Sequence, residues 1–226
     1  MNEDGGRFMQ VLAFNGSPRK EWNTATLLKK ALEGAESQAA ETELIHLYDL
    51  DYKGCHSCYS CKLKGGKSFG KCAVIDGLTP VLGKVIEADA LIIGFPIYMG
   101  AVAGMAQSFL ERLVYPLWDS ENMGTLLKKR IPTGLICTMG APVSRMKEMG
   151  LDGRVRTVEM MTGMAFGAVE SIIVTDTYQY DDYSKYAHQP FVNPEEKAER
   201  HRTVFPQECE KAFEMGARLA ASASEA

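Results

Sequence analysis

Hydrophobic and polar positions along the first 175 residues follow two alternating periods. Short runs that are apolar almost throughout cover 8–14, 44–47, 88–95, 134–138 and 171–175, and they predict five β-strands. Between them the spacing is helical. Leu27, Leu28, Ala31, Leu32 and Ala35 share one face over 24–35, with Asn23 placed to cap that helix. Val81, Leu82, Val85 and Ile86 predict a second helix, 104–113 a third, and 155–164 a fourth. Strands apolar on both faces and separated by helices predict an α/β fold, a parallel sheet covered on both sides.

The pattern breaks after Thr175. Residues 176–193 follow neither period, yet carry Tyr178, Tyr180, Tyr183, Tyr186 and Phe191. A loop this long is expected either to cross the surface or to extend as an arm onto a partner. A weaker helix starts after Pro194. Beyond Pro206 a final helix over 207–221 places Cys209, Phe213, Gly216 and Leu219 on one face. The expected organisation is one α/β domain over 1–175. An aromatic arm and terminal helix over 176–226 would belong to the same domain or to a dimer interface.

Composition narrows the class. The 226 residues are 46% hydrophobic and 24% charged, which excludes disorder, collagen and coiled coil and suits one enlarged domain. No apolar run approaches the roughly 20 residues that span a bilayer, so no membrane association is expected. Residues 1–7 are polar and carry no secretory pattern, so a cytoplasmic location is expected. A net charge of −4 excludes a broad electrostatic footprint for nucleic acid. Six cysteines in a reducing compartment are not expected to form disulfides. Cys55, Cys58, Cys61 and Cys72 fall within eighteen residues, a clustering that calls for metal or redox chemistry.

Three predicted strand ends carry candidate chemistry. The first reads Asn15-Gly16-Ser17-Pro18-Arg19, followed by Asn23, Thr24 and Ala25 at a helix start. Hydroxyls, a guanidinium and unpaired helix amides are the parts that hold a phosphate dianion. The third strand ends in Pro96-Ile97-Tyr98-Met99-Gly100, an apolar loop able to lie against a planar ring. The fourth ends in Thr138-Met139-Gly140. A phosphate seat beside an apolar slot suits flavin mononucleotide (FMN).

These segments, with Ala88-Asp89-Ala90, resemble the flavodoxin-like NAD(P)H-dependent FMN reductases over residues 8–175. With the cysteine run included, the sequence resembles their iron–sulfur flavoprotein branch. The resemblance implies a doubly wound flavodoxin-like sheet of five parallel strands in the order 2-1-3-4-5, with FMN at its switch point. It implies that Ser17, Arg19, Asn23 and Thr24 hold the phosphate. Pro96 to Gly100 and Thr138 to Gly140 would line the isoalloxazine. The flavin would carry the chemistry, with no catalytic side chain and NAD(P)H as donor. A homodimer or dimer of dimers is expected, with the arm shielding the partner's flavin edge.

Cys55-x2-Cys58-x2-Cys61 followed by Cys72 suits a [4Fe–4S] cluster, although the ten-residue last spacing is longer than the branch's usual run. Zinc and a metal-free thiol loop are the alternatives. The insertion carries Lys62, Lys64, Lys67 and Lys71, which would form either a solvated loop or a docking patch for an acidic carrier such as ferredoxin. A ferredoxin-linked electron carrier and a thiol or metal redox sensor are therefore the rival functions. Gly66-Lys67-Ser68 lacks the first glycine of a P-loop, and no dinucleotide fingerprint occurs.

Overall fold

The structure is a computed structural model that describes residues 7–190 and 192–224, so Phe191 and residues 1–6 lie outside it. In chain order the first elements are β1 (Gln10–Asn15), α1 (Asn23–Glu36), β2 (Glu41–His46), α2 (Thr79–Glu87) and β3 (Ala90–Tyr98). Next come β4 (Ala101–Val102), α3 (Gly104–Leu117), β5 (Trp118–Asp119), β6 (Gly124–Thr125) and β7 (Thr133–Thr138). The rest are α4 (Val143–Glu148), α5 (Leu151–Phe166), β8 (Val169–Val174), α6 (Pro194–Thr203) and α7 (Phe205–Ser224). The five long strands are parallel in the order β2-β1-β3-β7-β8, a flavodoxin-like sheet. Among the described residues no helix is long and apolar enough to cross a membrane.

Side-chain alternation along β1 sorts the molecule into two layers. Leu12 and Phe14 face a core shared with Leu91, Ile93, Leu135 and α2, α3 and α5. Val11 and Ala13 face the other core with Ile92, Ile136, α1 and α7. In that second layer, α1 and α7 pack backbone to backbone. A Cβ on Gly216 would fall 1.7 Å from the Ala31 carbonyl oxygen, and one on Gly34 would fall 1.9 Å from that of Phe213. The buried stripe of α7 runs through Ala212, Met215, Gly216, Leu219 and Ala220, while Cys209 and Phe213 flank it.

Several local expectations change. Asn23 is the first residue of α1 rather than its cap, and its side-chain amide bonds the Tyr178 carbonyl instead. The last two helices part at Val204, and Pro206 lies in the first turn of α7, where its missing N–H costs nothing. Asn193 caps α6 by accepting from the amides of Glu195 and Glu196. The third strand outruns its apolar core to Tyr98 because it turns back as a hairpin into β4. Short α4 left no apolar pattern, having no buried residue.

Candidate active site at the strand ends

The carboxyl ends of β1, β3 and β7 open into a pocket of about 350 Å3. Its floor is set by the turn after β1. Buried Asn15 accepts from the Ser17 amide at 3.0 Å, and its own amide meets His46 Nδ1 at 2.9 Å. The Ser17 hydroxyl in turn accepts from the Arg19 amide. Gly16 permits this turn, since a Cβ there would meet Ala106 Cβ at 2.6 Å. The first helical bond of α1 runs from Thr26 N to Trp22 O, which leaves the amides of Asn23, Thr24 and Ala25 ahead of it. Thr24 and Thr138 link β1's loop to β7's end through a buried hydroxyl pair at 2.8 Å.

Of the residues singled out in the sequence, Ser17, Arg19, Asn23, Thr24, Pro96, Ile97, Tyr98, Thr138, Met139 and Gly140 line this one pocket. Ala25, Met99 and Gly100 do not. Ala25 is buried in the layer beneath α1. Met99 and Gly100 are the two central residues of the β3–β4 hairpin, with φ of 50° and 74°. Two positive φ values make the tight turn whose twist suits a hairpin, and they send the Met99 side chain fully into solvent.

The segment after β8 supplies walls that the sequence reading assigned elsewhere. Thr177, Gln179 and Tyr180 line the pocket of their own chain. Trp22 Nε1 and Asn23 Nδ2 both donate to the Tyr178 carbonyl, and Arg19 donates to that of Gln179. The segment is stiffened by ring contacts. Tyr180 stacks on Tyr186 at 4.5 Å and meets Tyr183 edge-on, and Tyr178 packs on His201. Lys197, 3% exposed, clasps it by donating to Asp176, the Gly140 carbonyl and the Thr177 carbonyl. Its signal in the sequence, a lysine in a polar helix, is indistinguishable from a solvated one.

A second cavity, of about 280 Å3, is lined by all four clustered cysteines. The ten-residue insertion does not carry Cys72 away, because Gly70 N bonds the Cys61 carbonyl at 3.0 Å and closes the insertion into a lobe. Ser57 and Tyr59 take left-handed φ near 57°, curling the backbone between the first three cysteines. The Ser57 amide donates to Cys55 Sγ at 3.4 Å. The Ser60 amide and hydroxyl pull the Cys58 thiol below its ordinary pKa, whereas burial pushes Cys61 up. Among the described residues, no three His, Cys, Asp or Glu side chains converge closely enough to hold a single metal ion.

One side chain ties both ends of this irregular segment. Arg112 of α3, 1% exposed, donates to both oxygens of Asp76, to the carbonyls of Lys53 and Val74, and to Cys72 Sγ at 3.4 Å. Burial works to raise the Asp76 pKa, but the Arg112 hydrogen bond and the Leu78 amide outweigh it and hold it below its usual value. The four lysines of the insertion do not form one patch. Lys62 turns inward to the carbonyls of Pro116 and Trp118, and Lys64 pairs with Glu121. His56, the one histidine inside the cysteine run, lines the thiol cavity but is exposed.

A doubly wound sheet of this order, with its pocket at the switch point, defines the flavodoxin-like flavoproteins. The family model for NADPH-dependent FMN reductase matches residues 9–142, and the chain belongs to that family. Among curated proteins it is 38% identical over 104 residues to an iron–sulfur flavoprotein of Methanocaldococcus jannaschii, covering 46% of this chain and 51% of that one. An iron–sulfur flavoprotein of Archaeoglobus fulgidus is 41% identical over 104 residues, covering 46% and 48%. The chain thus spans about half the length of the curated relatives it matches. In fold it resembles an NAD(P)H:quinone oxidoreductase of Methanothermobacter marburgensis, with TM-score 0.70, 14% identity, and 94% and 100% of the two chains covered. An azoreductase of Bacillus anthracis gives TM-score 0.61 at 17% identity, covering 93% and 100%.

Proposed function

We propose that the protein is an FMN-dependent oxidoreductase that takes electrons from NAD(P)H, and that its cysteine loop would hold a [4Fe–4S] cluster able to carry single electrons. The observation that carries the flavin half is the donor set of the strand-end pocket. Ser17, Thr24, Thr138, Asn23 and Arg19 line it, and among the described residues no carboxylate does. That set fits a phosphate dianion at the start of α1, where the helix dipole adds to the attraction. Pro96, Ile97 and Tyr98 then offer the flat apolar wall for the ring system. Tyr98, 44% exposed, stands at the rim where a nicotinamide would approach. When bound, FMN supplies hydride acceptance and one-electron release. The chain's own part is to seat the phosphate, bury one face of the ring and keep the Gln179 segment closed over Gly140.

The cluster half rests on four unbridged thiols around one cavity. Three thiols at x2 spacing and a fourth across the same cavity suit the thiolate set of a [4Fe–4S] cluster. Cys55, Cys58, Cys61 and Cys72 would be its ligands, with amide and guanidinium donors stabilising their negative charge. Helix α3 starts beside the flavin hairpin and carries Arg112 eight residues on, about 12 Å along its axis. Small molecules or a protein carrier would receive the electrons, and the soluble assembly would be a homodimer. A visible spectrum of anaerobically purified protein, with flavin and iron quantified on one sample, tests both halves. One FMN and about four irons per chain are expected. Flavin without iron after anaerobic reconstitution would remove the cluster, and no flavin after adding FMN would remove the whole reading.

A further inference from the structure

The turn that floors the strand-end pocket rests on one side-chain amide whose two ends are both engaged. Asn15 closes β1 with no exposed surface, and its Oδ1 accepts from the Ser17 amide at 3.0 Å. A backbone N–H can only donate, so this bond settles which end of the Asn15 amide is oxygen. Nδ2 therefore faces His46, the register partner of Asn15 at the end of β2, and meets its Nδ1 at 2.9 Å. An amide nitrogen also only donates. Nδ1 of His46 is then the bare, accepting nitrogen, and the proton of the neutral ring sits on Nε2.

Protonation of His46 would set a hydrogen on Nδ1 against the hydrogens of Asn15 Nδ2. Turning the Asn15 amide over relieves that contact only by setting Nδ2 against the Ser17 N–H. Either arrangement faces donor with donor around a side chain that water does not reach, so one of the two bonds is lost. We propose that His46, which does not itself line the pocket, is a positioning residue of the phosphate turn, and that FMN is held tightly only while its ring is neutral. The inference rests on the flavin reading of that pocket. Ser17 lines the pocket and its hydroxyl accepts from the Arg19 amide, so freeing the Ser17 amide disturbs two of the proposed phosphate contacts.

Burial holds the His46 pKa below its ordinary value near 6.5. The charged groups that face it come in opposed pairs. Asp49, in the turn after β2, is bonded to Lys20, and Glu21, ahead of α1, is bonded to Lys29 of that helix. In each pair the anion favours the imidazolium and the cation opposes it. Tight binding is therefore complete above the ordinary histidine value and fades as pH falls through the lowered one.

The test is fluorescence titration of FMN at about pH 8 and about pH 5 with the parent, His46→Asn and His46→Leu. The FMN phosphate gains a proton of its own in this range, near pH ~6, so His46→Asn is the reference. Its Oδ1 hangs from Cγ as Nδ1 does, and it accepts without titrating. The two proteins should agree within about twofold at the higher pH, and the parent should lose about three- to tenfold more affinity at the lower one. His46→Leu offers no acceptor and should bind about tenfold more weakly than His46→Asn at both. Nitrogen NMR of the imidazole, without FMN, should find Nδ1 unprotonated at the higher pH, and Ser17 amide exchange should quicken as the ring takes its proton. Parallel pH profiles of the parent and His46→Asn would overturn the proposal, as would a proton on Nδ1 at the higher pH. A parent that binds no FMN at either pH would instead remove the flavin reading, and the proposal with it.

Discussion

The strand-end pocket and the cysteine cavity are each held by one buried cation, but they depend on it to different degrees. The pocket stands on the carboxyl ends of three sheet strands, and Lys197 only fastens its lid. Its floor is fixed by backbone register and by the Asn15, Thr24 and Thr138 contacts beneath it. The cysteine cavity has no such footing. Its loop runs from residue 50 to 78 with no regular structure beyond one short 3-10 turn, and both ends converge on Arg112. A site built on a sheet tolerates the loss of one contact. A loop whose two ends share one guanidinium loses more with it.

The substitution Arg112→Met separates the two most sharply. Leaving Asp76 without its partner should cost about 3 kcal/mol or more, with iron lost and FMN retained. Thermal unfolding with parallel flavin and iron assays reads the difference, and retained iron would show that the loop has another anchor. Arg19→Ala is the converse. Removing a charge-assisted contact should weaken FMN by about 10- to 100-fold and leave iron content alone. Fluorescence titration of the apoflavoprotein measures it. The smallest effect is in acid. Asp76 has a lowered folded pKa, so its pairing stabilises fully above its unfolded value near ~3.9 and that stabilisation fades as pH falls through the lowered one. Amide exchange around 53–76 should accelerate below about pH 4 before exchange in β3 does. Simultaneous loss would mean that loop and sheet melt as one.

The same contrast governs how much the sequence disclosed. Period-2 and period-3.6 patterns are written by burial against a layer, so strands such as 88–95 and the 24–35 helix were plain, and with them the turn that follows each strand. The hairpin residues Met99 and Gly100 were adjacent to the pocket in sequence but outside it in space, because two positive φ values reverse the chain there. Arg112 and Lys197 were invisible for a different reason. A buried ion pair sits at positions where periodicity predicts either an apolar face or a solvated charge, and composition cannot tell a clasp from a surface lysine. The aromatic segment after Thr175 was conspicuous, yet its target, the carbonyls of Tyr178 and Gln179 meeting Trp22, Asn23 and Arg19, depends on contacts more than 150 positions apart.

The glycine crossing of α1 and α7 joins two stretches of chain that are far apart in sequence. Gly34 and Gly216 sit there with no room for a side chain on either, although about 180 positions separate them. Contacts this distant in sequence are slow to form. The helix whose first turn borders the strand-end pocket therefore gains its outer wall late in folding, so the rigidity of that rim is a property of the assembled layer rather than of the local segment.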